Sequence, residues 1–158
     1  MKKLTLLASC LLIALLLPGL ASARNIYVQK MFDAEVFASS TAEYSKDKAG
    51  DAVVIDLNQF DGEGYFAVQV YLNDADGSMT LEWEGSNDGT NYVAAYDDNG
   101  NAWSNICTSF AFGGGPATNG RAVFTVQPPP CRYLRIKATP SAHAITGLTV
   151  IVSHVSGN

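Results

Sequence analysis

Histidine, cysteine and positive charge are scarce in this chain. Of 158 residues only His143 and His154 are histidine, and three are cysteine. Cys107 and Cys131 are too far apart, and too poorly matched by histidines, to give a zinc-binding interval. Ten Lys and Arg face 15 Asp and Glu, a formal net charge of −5. That balance lacks the basic footprint that nucleic acid or an anionic membrane requires. Catalytic motifs are missing as well. There is no Gly-x-Ser-x-Gly elbow and no His-Glu-x-x-His, and the run Gly113-Gly114-Gly115 ends in Pro116 without the lysine of a phosphate loop. No enzymatic activity is expected.

Long apolar runs are confined to the first residues. Lys2 and Lys3 precede an apolar stretch over 4–17, which Pro18 and Gly19 break before the small residues Ala21-Ser22-Ala23. The stretch falls short of the roughly 20 residues that span a bilayer, and its layout is that of a secretory signal peptide. The expected organisation is a signal peptide over 1–23 and a single secreted domain over 24–158, periplasmic or extracellular and not integral to a membrane. Two rival readings are an uncleaved anchor and lipidation at Cys10, in Leu7-Ala8-Ser9-Cys10, although much of the apolar run follows that cysteine. Loss of Lys2 and Lys3 takes the formal charge from −5 to −7. Cys10 leaves with the leader, so Cys107 and Cys131 remain as an even pair in an oxidising compartment. They are expected to form a disulfide, which the chain-entropy model credits with about 3 kcal/mol.

What the mature chain has is alternation. Residues 65–72 set Phe66, Val68, Val70 and Leu72 against Tyr65, Gln69 and Tyr71, and residues 79–85 set Met79, Leu81 and Trp83 against Thr80, Glu82 and Glu84. Each is the pattern of a strand with one face in a core, which turns Trp83 inward. Residues 25–31 suit a short edge strand, and 52–57, 90–96, 122–127, 131–138 and 145–154 read as further strands. The last of them can pair inside a sheet. Residues 39–51 read as a loop, with a turn or two of helix over 34–46 as an alternative. Turn signals every 8 to 12 residues or so predict an all-β, antiparallel β-sandwich of jelly-roll type with about eight strands.

The charges are unevenly spread. Every acid lies at or before Asp98, whereas Arg121, Arg132, Arg135 and Lys137 stand in a stretch with none. One reading pairs acidic and basic strands across a sheet. The other places acidic and basic faces on different subunits of an assembly.

Ser86-Asn87-Asp88-Gly89-Thr90-Asn91-Tyr92, followed some 40 residues later by Arg132-Tyr133-Leu134-Arg135-Ile136, resembles the paired motifs of discoidin-like (coagulation factor 5/8 type C) β-sandwiches. It is similar also to compact sandwich modules of phage tails and surface proteins. The resemblance implies a hairpin at Asp88-Gly89, with Tyr92 where tryptophan is usual and Leu134 and Ile136 pointing inward. The terminal cysteine pair of discoidin domains is absent, and family ligand residues do not transfer.

Residues 97–120 form the longest irregular stretch, and such loops are commonly functional. Tyr96, Asp97, Asp98, Asn101 and Trp103 combine aromatic faces with polar groups, as a sugar-binding site does. The alternative makes residues 108–112 another strand and Trp103 a cap on the sandwich. No cofactor is expected; calcium at the Asn73-Asp74-Ala75-Asp76-Gly77-Ser78 turn is the alternative, although the spacing fails the EF-hand template. The function expected is an exported, non-catalytic binding module that recognises a glycan or another surface component through its loops. The alternative is a structural or assembly subunit of a surface structure, with self-association as its partnership.

Overall fold

Alternation in the sequence becomes two antiparallel sheets in the computed structural model, which describes residues 26–38, 40–60, 66–73, 78–96, 99–102, 105–111, 120–127, 130–140 and 144–155. The strands are β1 (Ile26–Phe37), β2 (Glu43–Tyr44), β3 (Ile55–Asp56), β4 (Phe66–Tyr71), β5 (Ser78–Ser86), β6 (Val93–Ala94), β7 (Asn105–Ala111), β8 (Arg121–Val126), β9 (Tyr133–Pro140) and β10 (Ile145–Val155). One sheet has the order β1-β10-β4-β8. The other has the order β2-β9-β5-β6, with β3 also on β9 and β7 also on β5. Among the described residues every strand pairing is antiparallel, so the expected all-β fold class holds.

The inward residues of both sheets meet in one core. Phe66, Val68 and Val70 of β4 and Leu148, Val150 and Val152 of β10 pack toward Leu81 and Trp83 of β5 and Leu134 and Ile136 of β9, all at 2% exposure or less. The Phe66 and Trp83 rings meet edge to face at 6.4 Å across the two sheets. Burying a side chain of this size stabilises by about 1.5–3 kcal/mol, so this layer supplies most of the driving force. His154 is buried within the same layer, its ring 4.8 Å from Phe66 and 4.9 Å from Phe60.

Some boundaries differ from expectation. Residues 34–46 form no helix: Ala34 to Phe37 belong to β1, which runs for 12 residues because register shifts after Lys30, Phe32 and Glu35 let it bend along β10. Ala34 takes a φ of 55°, and its N–H donates to Thr149 Oγ1 at 3.0 Å. The strand expected over 52–57 shrinks to β3, because Asp56 caps a single 3-10 turn at Leu57–Gln59 by accepting the Asn58 N–H. The strand expected over 90–96 shrinks to β6. Residues 105–111, within the stretch read as irregular, form β7 on β5, which supports the strand alternative there.

The charge question is settled by register. Glu82 stands opposite Lys137 and Glu84 opposite Arg135 on neighbouring strands β5 and β9. Arg135 Nη2 and Nε donate to one Glu84 oxygen at 2.6 and 2.8 Å, and Lys137 Nζ lies 3.4 Å from Glu82. The acidic and basic strands neutralise each other within one sheet.

The expected Cys107–Cys131 disulfide is not present in this structure. Cys131 carries a free thiol, which donates to the Tyr133 carbonyl at 3.2 Å. Cys107 pairs with Leu81, whereas Tyr133 pairs with Ser86 at the far end of β5. Five residues of strand separate these rows by roughly 16 Å at ~3.3 Å per residue. A disulfide needs Cα atoms within about 7 Å.

Candidate functional site

Two features stand out, a cleft at one end of the sandwich and the two edge strands of the β1-β10-β4-β8 sheet. The cleft follows from the turn between β5 and β6. Asp88 accepts from the Asn91 and Thr90 backbone N–H groups at 2.8 Å, the Ser86 hydroxyl at 2.8 Å and the Asn91 side-chain amide at 2.7 Å. These donors, with the Asn91 N–H foremost, hold the Asp88 carboxyl well below the usual carboxylate range. Gly89 turns with a φ of 74°, and Asn87 Oδ1 accepts the Arg132 N–H at 3.1 Å, which ties the hairpin to the start of β9. Asp88 is thus fully engaged in holding the turn.

Beneath this locked turn the inward row Met79, Leu81, Trp83 ends at Gly85, which offers no side chain. A cleft of about 660 Å³ opens there, lined among others by Ser86, Asn91, Val93, Tyr96, Pro130 and Cys131. Burial raises the Cys131 thiol above its ordinary range. Of the residues expected to bind a ligand, Tyr96 lines this cleft and is 63% exposed. Asn101 is exposed and does not line it. Asp97, Asp98 and Trp103 lie outside the described residues, as do Asp74 and Asp76 of the calcium alternative. Among the described residues no group of three or more His, Cys, Asp or Glu is placed to hold a metal ion.

The outer side of the β2-β9-β5-β6 sheet is polar but self-satisfied. The Arg135 guanidinium lies between the Tyr44 ring at 3.7 Å and the Tyr92 ring at 4.4 Å while it holds Glu84. Arg132 lies 4.8 Å from the Tyr133 ring. Such stacking uses the cation locally.

The opposite sheet differs. Its outer rows run Val28, Ser153, Ala67, Thr125 and then Lys30, Ile151, Gln69, Val123. With the adjoining row Thr149, Tyr71, Arg121, two of these eleven side chains are charged, Lys30 and Arg121. Ile26, Val28 and Val36 on β1 and Val123 on β8 are 66%, 61%, 63% and 63% exposed. β1 and β8 are the two edges of this sheet, and among the described residues no strand pairs with their outer sides. Natural edges usually carry charges, prolines or bulges that block further pairing. β8 pairs with β4 without a register shift and has one charge, Arg121, at its start. β1 has bulges only beyond Lys30, leaving Ile26 to Lys30 regular.

From the sequence, residues 25–31 read as an edge strand, and β1 lies at an edge; β8 does not read as one. Ile26-Tyr27-Val28 and Val123-Phe124 are apolar on both faces, a pattern shared by strands buried on both sides.

No family model matches the chain, and no curated protein matches it. A solved structure of Bacillus endospore appendages, described as forming a novel family of disulfide-linked pili, is similar at a TM-score of 0.42 and 16% identity, over 87% of this chain and 93% of that chain. Likeness at that level assigns no role. Among the described residues no helix is long and apolar enough to cross a membrane.

Proposed function

We propose that this chain is a non-catalytic structural subunit of an exported assembly and that it self-associates through the sheet bounded by β1 and β8. The carrying observation is that among the described residues no strand pairs with the outer sides of β1 and β8, which carry four aliphatic side chains more than 60% exposed beside an outer face with few charges. Unpaired backbone groups on a strand edge are a template for another strand, and burial of each valine adds about 1.5–3 kcal/mol when complete. Export rests on the leader-like residues 1–23. The acidic and basic strands do not contribute, since they are paired within the subunit. A glycan site would draw on Tyr96 and the cleft, but the other described candidate, Asn101, lies outside it.

Size-exclusion chromatography with light scattering on the mature chain tests this reading at low and high salt. Association through apolar and backbone groups persists when the Debye length is cut from about 30 Å at 0.01 M to about 3 Å at 1 M. A mass of one chain at every concentration and salt would refute it.

A further inference from the structure

The geometry points to one mode of association: β8 of one copy pairs antiparallel with residues 26–30 of β1 of a second copy, head to tail, so that one continuous sheet runs through successive subunits. The inference rests on the self-association reading and adds the partner surface. Strand polarity is its first support. β1 is antiparallel to β10, β10 to β4 and β4 to β8, so β1 and β8 run in opposite directions. A second copy set beside the first in the same orientation therefore presents β1 to β8 as an antiparallel neighbour, with inner and outer faces continuing unchanged.

Length and side chains fit as well. The regular part of β1 has five residues, Ile26 to Lys30, and β8 has six. Val28, Ser153, Ala67 and Thr125 already share one row across the sheet. Continuing the rows sets Val28 of the second copy beside Thr125, and Lys30 beside Val123. Slipping by two residues, so that Val28 meets Val123, would set Lys30 against Arg121. Charge thus favours the register that extends the existing rows. Each joint leaves one β1 edge and one β8 edge unused at the ends, so the contact is heterologous and growth is open-ended.

Complementary variants provide the test. Val28→Lys spoils the β1 edge and Val123→Lys the β8 edge, both at sites more than 60% exposed, and far-UV circular dichroism confirms that each variant keeps its strands. Light scattering is expected to give one chain for either variant alone and a two-chain species for their equimolar mixture. That pair forms because Val28→Lys retains an intact β8 and Val123→Lys an intact β1, and it grows no further. If only one variant becomes monomeric while the other still dimerises, the contact joins like edges and the inference is overturned. If both variants associate like the parent, the contact lies on another surface and the β8–β1 joint is overturned; if the mixture stays monomeric, the joint is overturned as well. A parent chain that is itself monomeric removes the self-association reading along with it.

Discussion

Asp88 shows how much one exposed carboxylate can organise. Its two oxygens gather the Asn91, Thr90 and Ser86 donors, and the resulting turn fixes Gly89 against the Tyr133 ring, where a Cβ would lie 3.3 Å from that ring. Because the folded carboxyl titrates below its unfolded range near ~3.9, its contribution is fully present above that range and is lost as pH falls through the folded value. Thermal unfolding of the parent is therefore expected to weaken more steeply below pH ~4 than that of Asp88→Asn, which is less stable at neutral pH. Equal acid slopes would show that Asp88 does not hold the turn. The Asp-Gly hairpin was legible in the sequence, since glycine supplies the positive φ. The four-donor set was less so, because it depends on the path of residues 89–91.

At the scale of elements, β5 and β9 explain why two opposite charge clusters do not make an assembly face. Cross-strand register joins Glu84 to Arg135, and Tyr44 from β2 and Tyr92 from the turn close over the guanidinium. Arg135→Met leaves the 8%-exposed Glu84 without its partner and is expected to cost about 1.5–3 kcal/mol in denaturant titrations. Lys137→Met, at a more exposed pair, is expected to cost under about 1 kcal/mol. Equal costs would contradict this ranking. Strands β4, β5, β9 and β10 were readable because each buries one face and so alternates strictly. β2 was not, since two residues carry no period, and β3 and β6 were read as the longer strands 52–57 and 90–96. Nor was the full length of β1, whose bulges break the alternation and brought a helix into consideration. The spacing of the cysteine rows was not legible for a related reason: two cysteines in one chain say nothing of register, and β5 holds their backbone rows apart.

For the whole molecule, a sandwich scaffold could be inferred from turn spacing and periodicity, whereas the order of strands could not. The edge position of β1 was read from residues 25–31, whereas β8 becomes the other edge only through long-range pairing, so the exposure of Val123 emerges once β10 and β4 occupy the middle of their sheet. Likewise Tyr96 was marked as a ligand residue, but the cleft it lines is made by Gly85, Pro130 and Cys131 from distant parts of the chain. In the proposed assembly the edges of the β1-β10-β4-β8 sheet join copies of this subunit. Amide hydrogen exchange on the mature chain, compared between dilute and concentrated samples, tests it most directly. Backbone amides in residues 26–30 and 121–126 are expected to gain protection together as concentration rises, with β5 and β9 unchanged. Exchange at both edges that is equally fast at every concentration would contradict it.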